Sequence, residues 1–341
     1  MNLPDYQFIS APLWLVTVLH LLTLSLHFMA MNFLLGGVII TLWSSAKKRW
    51  DGPTAVRFTR IFPAATAATV TLGVAPLLFL QLVFHRQMYS AAIVSGWFWL
   101  FVVAAVIVAY YALYRASFEG QRTARVSKAA LLLALLGLLY VSLVYSSVFS
   151  MTEQLGLVRD LYAKNQSGWV WNPAVGDYAL RWLHMVLGAV TVGGFFVGLL
   201  GRHDVEVFAT GKRFFIGGMV AAALAGMIYL MSLEQLIGAF MRTPAVWALT
   251  ASIALSLLSL HFFVRKHFWL AGVALFLSVM GMVFARHTVR LLMLAGQFDP
   301  ASLRVAPQWS PFAMFLACFV VMLVVLAWML RMFFGAKKSE A

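Results

Sequence analysis

The chain has a single cysteine among 341 residues, Cys318, and only 11% of its residues are charged. One cysteine rules out an internal disulfide and the CxxCH pattern that attaches haem covalently. So few charges beside 63% hydrophobic residues rule out an ordinary water-soluble domain. Acids are scarcer still, 11 against 25 basic residues, and Glu234 is the one carboxylate placed within an apolar run. What the sequence has in abundance is apolar runs of spanning length, which mark a polytopic membrane protein.

Closing each run at its charge cluster predicts an all-α fold of nine transmembrane helices. They cover Pro12 to Trp43, Pro63 to Phe84, Gly96 to Tyr114, Ala129 to Met151, Tyr178 to Gly201, Phe214 to Leu236, Val246 to Val264, Phe268 to Ala285 and Pro311 to Phe333. The first run lacks a basic leader and a small-residue cleavage site, so it is read as a retained helix. Lys47, Lys48, Arg49, Arg115, Arg125, Lys128, Lys212, Arg213, Arg265 and Lys266 then fall on one side, which the positive-inside rule makes cytoplasmic. The N-terminus is expected outside and the C-terminus inside, in a bacterial inner membrane. The net charge of +14 reflects this topology and attraction to anionic lipid, so no nucleic-acid partner is expected.

This topology gathers ionisable residues near the outer leaflet: His20, His85, His184, Glu234 and His287. The segment from Val18, VLHLLTLSLHFMAMNFLLGG, aligns with WLHMVLGAVTVGGFFVGLLG from Trp182, which places His20 opposite His184. Phe84-His85-Arg86 in the first half parallels Phe240-Met241-Arg242 in the second. The repeat divides the chain into a four-helix membrane bundle over 1–151, an outer loop over 152–177, a second bundle over 178–290, and an outer loop with the ninth helix over 291–341. A histidine on one helix and a His or Met on another is the requirement of haem, whose flat apolar ring fits between helices and takes axial ligands from both sides. Arg86, Arg181, Arg242, Arg286 and Arg290 lie on the outer side against the positive-inside trend, where haem propionates would pair with them.

With a helix-one histidine, the helix-five segment WLHMVLGAVTVGGFFVGLLG and a methionine just before helix seven, the chain resembles subunit I of the cytochrome bd quinol oxidase family. The resemblance implies two four-helix bundles plus one helix and non-covalently held haem b. It also implies that His184 and Met241 are axial ligands of a low-spin haem and that His20 is a ligand in the first half. Two departures alter the expected activity. Only Gly238 to Ala245 stands where the family has a long quinol-binding loop, and the third helix carries no acid for proton delivery to oxygen. The expectation is therefore a bd-like b-type cytochrome with two or more haems that exchanges electrons between membrane quinone and an outer redox partner such as a periplasmic c-type cytochrome. His20 with His85 and His184 with Met241 are the expected axial pairs, and a cross-bundle pair of His20 with His184 stays open. His27 either touches a quinone or deeper haem, or bonds a polar group of a neighbouring helix. Glu234 either takes a quinol proton or pairs with Arg242. A haem-free quinone-binding anchor, a terminal quinol oxidase subunit and a transporter built from repeats are the alternative classes.

Overall fold

The computed structural model describes residues 8–47, 53–118 and 124–314, with scattered positions up to 328. The described chain is α-helical apart from one two-residue parallel pairing, β1 (Phe8–Ile9) with β2 (Arg304–Val305). Its helices are α1 (Leu13–Lys47), α2 (Pro53–Thr59), α3 (Phe62–Val83), α4 (His85–Val94), α5 (Gly96–Phe118) and α6 (Ala124–Met151), followed by α7 (Leu155–Lys164), α8 (Val175–Leu200), α9 (Val205–Met231), α10 (Gln235–Phe240), α11 (Ala245–Val264) and α12 (Phe268–Leu294). Among the described residues, eight helices (α1, α3, α5, α6, α8, α9, α11 and α12) are long and apolar enough to cross a membrane. The chain is a polytopic all-α membrane protein. About half of the ninth expected span, Pro311 to Phe333, lies outside the described residues.

Among the described residues, those up to Thr17 and from Pro300 onward form one compact unit, in which the Ala306 amide donates to Ile9 O beside the β1–β2 pairing. Val18–Asp299 forms the other, and it holds every helix from α2 to α12. Within it large apolar side chains face outward, Trp269 at 81% exposure and Leu224 at 63%, as helices in lipid require. The interior is built from small residues and aromatic rings such as Phe62, Phe195, Phe215 and Phe263.

Several helices outrun their expected bounds, because a charged residue does not end a helix that has a cap or a partner. The expected start at Phe214 moves back to Val205, where the Asp204 side chain accepts from the amides of Glu206 and Val207 at 3.0 and 3.1 Å. The expected end at Ala285 moves on to Leu294, which brings Arg286, His287 and Arg290 into α12 and leaves only Ala295 onward as loop. Arg286 and Arg290 thereby fall one turn apart on one helix face. Expected loops likewise contain the short helices α4, α7 and α10.

Candidate functional site

Three histidines on the long helices are held by one device. His27 Nδ1 lies 3.0 Å from Thr69 O, His184 Nδ1 lies 2.8 Å from Ala222 O, and His20 Nδ1 lies 3.0 Å from Pro76 O. A carbonyl only accepts, so Nδ1 must carry the proton and Nε2 the lone pair in each ring. The acceptors are backbone atoms of α3 and α9, so the rings are fixed by the fold and not by a mobile side chain.

Glycine makes room for two of the rings. A Cβ on Gly73 would stand 2.9 Å from His27 Cε1, and one on Gly226 would stand 2.8 Å from His184 Cε1. Each of these glycines lies one turn beyond the carbonyl that accepts from its histidine. The same register holds deeper in the bundle, where a Cβ on Gly36 would meet Ala189 O at 1.9 Å and one on Gly193 would meet Gly36 C at 2.6 Å. Leu26-His27 with Gly36-Gly37 therefore matches Leu183-His184 with Gly193-Gly194. This corrects the expected repeat: His27, and not His20, stands in register with His184. The sequence alignment matched a Leu-His pair at the wrong turn because apolar helices offer many such matches.

The end of the bundle where α1 and α8 begin, and α3, α6 and α12 end, holds a buried charge cluster. Glu153, just past α6 and 3% exposed, accepts from Arg286 and lies 3.3 Å from Arg290 Nε and 3.5 Å from Arg181 Nη1. Arg181 Nη2 also donates to Ser146 O at 2.7 Å, and the Arg290 guanidinium lies 5.7 Å from the centre of the Phe84 ring. Burial alone would raise the Glu153 carboxyl, but Arg286, Arg181 and Arg290 together outweigh it and hold the group below its ordinary value. Three guanidiniums against one carboxylate leave an excess of positive charge suited to a second anionic group. At this end of the bundle His20, 6% exposed, lies 6.2 Å centroid to centroid from His287 with the rings inclined by 55°.

The other expected site residues occupy varied surroundings. His85 opens α4, half-buried, and burial lowers its pKa; Arg86 beside it is exposed. Met241 follows α10 and is 56% exposed, with Arg242 exposed next to it. Glu234 is exposed too and has a left-handed φ of 42°, so it turns the chain from α9 into α10. The buried carboxylate of this region is Glu153, which the sequence reading passed over. Its signal was indirect: Arg181, Arg286 and Arg290 need a counter-charge, and Glu153 is an acid at the edge of an apolar run on the same side.

Among the described residues, no group of three or more His, Cys, Asp or Glu side chains is placed to hold a metal ion. No protein-family model matches the chain, and no curated protein matches it.

Proposed function

We propose that the chain is a bd-like membrane b-type cytochrome that carries electrons between membrane quinone and an outer-side redox partner such as a periplasmic c-type cytochrome. The observation that carries this reading is the fixed tautomer of His20, His27 and His184, whose Nδ1 atoms are each spent on a backbone carbonyl. Metal-ligating histidines are held in this way, with one ring nitrogen donating to a carbonyl or carboxylate so that the other faces the metal.

Haem b, when bound, supplies a one-electron iron couple; the protein residues position it, balance its charge and exclude water. His20, His27 and His184 are the ligands the geometry supports, with His85 and Met241 the sequence candidates for remaining axial positions. Gly73 and Gly226 let the imidazoles of His27 and His184 seat directly against α3 and α9, which fixes the rings in place. Arg181, Arg286 and Arg290 exceed Glu153 in charge, which favours propionate carboxylates at that end of the bundle. Resemblance to cytochrome bd subunit I points the same way, and the basic residues at the opposite helix ends favour an N-terminus outside a bacterial inner membrane. The haem end then faces the compartment where a soluble cytochrome docks.

The test is a reduced-minus-oxidised spectrum of the purified chain, followed by extraction in acidified acetone. A b-type spectrum with all colour extracted is expected, since no CxxCH can form thioether links. A colourless chain would refute the cytochrome and favour a haem-free quinone-binding anchor.

A further inference from the structure

We infer that His20 and His287 are the two axial ligands of a single haem iron, one supplied by each half of the repeat. The inference rests on the haem reading above and goes beyond it by naming the pair. The carrying observation is the separation of the rings. Two imidazoles on opposite sides of one metal each place it about 2 Å from a nitrogen that lies about 1 Å from the ring centre, so their centroids stand about 6 Å apart. His20 and His287 stand 6.2 Å apart. A direct nitrogen-to-nitrogen hydrogen bond of about 2.9 Å would draw the centroids to about 5 Å, and stacked rings would be closer still. The separation matches two imidazoles sharing one metal ion; a tilted ring contact, whose centroids stand about 4.5–7 Å apart, is the alternative that the experiment below decides.

The unspent nitrogens agree with the distance. His20 has committed Nδ1 to Pro76 O, which leaves Nε2 as its lone pair. His287 Nδ1 is buried without a hydrogen-bond partner, a costly state for a polar atom in a membrane interior and one that a metal or its bound group relieves. The position of His287 follows from the extension of α12. Ending that helix at Ala285 would leave His287 in a loop, whereas the continuous helix holds it between Arg286 and Arg290, both fastened to Glu153. The ligand ring is thus flanked by two anchored residues of its own helix. This pairing replaces the expected His20–His85 pair.

The experiment uses the full purified chain and reads coordination directly by electron paramagnetic resonance, near-infrared magnetic circular dichroism and carbon monoxide binding. The wild type is expected to contain a low-spin bis-histidine haem. In His287→Ala that component should become high-spin and bind carbon monoxide after dithionite reduction, and added imidazole should restore the low-spin signal. If the alanine variant loses its haem, His287→Met should retain it in low-spin form at a raised potential, because thioether favours ferrous iron more than imidazole does. Wild-type spectra in both His287 variants, or conversion to high-spin by His85→Ala while His287→Ala stays low-spin, would overturn the pairing and leave the cytochrome intact. A colourless wild-type chain would overturn the haem reading and this pairing with it.

Discussion

Replacing Glu153 by glutamine keeps the side-chain shape and removes one charge from the centre of the cluster. Three guanidiniums approach that carboxylate, at 3.3 Å for Arg290, 3.5 Å for Arg181 and in direct hydrogen bond for Arg286, while the Glu153 side chain is 2% exposed. Removing one partner of a buried ion pair costs about 3–5 kcal/mol, because the remaining charge is left uncompensated in low dielectric. Here three charges lose their partner, so the upper part of that range applies. At about 2 °C per kcal/mol, the lower coefficient suited to a long chain, Glu153→Gln should lower the midpoint by about 8–10 °C. Tryptophan fluorescence during thermal unfolding in detergent measures it. Asp160→Asn is the control: its ion pair with Arg159 at 3.9 Å is exposed on both sides and should shift the midpoint by no more than about 2 °C. The pH dependence has a definite sign. Since the folded pKa of Glu153 is depressed, its stabilisation is complete above the unfolded value near 4.5 and is lost as pH falls through the folded value. Wild type should therefore lose stability below about pH 4.5 more steeply than the glutamine variant, which has no proton to take up there. A Glu153→Gln midpoint within the range of the Asp160 control would refute the view that this carboxylate neutralises the arginines.

Gly36→Ala should destabilise the fold by about 1–3 kcal/mol or more, since even a methyl there meets Ala189 O at 1.9 Å. Gly188→Ala, on α8 next to Ala189 but with open space at Cβ, should be neutral or gain up to about 1 kcal/mol, and equal thermal shifts in the two variants would contradict the packing argument. Under the proposed function, His184→Ala should remove one low-spin haem from the pyridine haemochrome count, and retention of the full count would exclude His184 as a ligand. Met241→His should keep that haem and lower its potential in a redox titration, because imidazole favours ferric iron more than thioether does. An unchanged spectrum and potential in Met241→Ala would remove Met241 from the assignment.

The membrane class and the long spans were legible in the sequence because hydrocarbon imposes length and apolarity on every helix that crosses it. The helix ends were less so. Counting charges ends α12 at Ala285, yet the helix continues through Arg286, His287 and Arg290 because Glu153 compensates the two guanidiniums. Glu153 itself drew no notice, since an acid one step beyond an apolar run looks like an ordinary loop residue until the partners from α8 and α12 are known. Glu234 drew too much: in sequence it interrupts an apolar stretch, but a left-handed turn carries it to the surface. The register between α1 and α8 was not legible, because it is set by where backbones touch, at Gly36 and Gly193, and Leu-His pairs recur along α1.

The corrected register also explains why the two halves share a scaffold and yet build one charged site. With His27 opposite His184, His20 falls opposite Asp177, which accepts from Gln154 Nε2 at 2.7 Å and has no ring to offer. The same reasoning applies to α6 and α12. A Cβ on Gly137 would meet Ala105 O at 3.1 Å and one on Gly281 would meet Ala248 O at 3.0 Å, so these two glycines occupy equivalent positions in the two halves. In that register Arg286 stands opposite Ser142, His287 opposite Leu143 and Arg290 opposite Ser146. The first half thus carries small polar and apolar side chains where the second carries two guanidiniums and an imidazole. Helix contacts through glycine and histidine bonds to carbonyls depend on backbone geometry, which a repeat conserves in both halves. Buried charge is costly and must be matched wherever it occurs. One cluster with Glu153 as its counter-ion requires a single matched set, whereas a symmetric pair would require two. The asymmetry places His20 of one half and His287 of the other at a single point, which neither half could form by repeating itself.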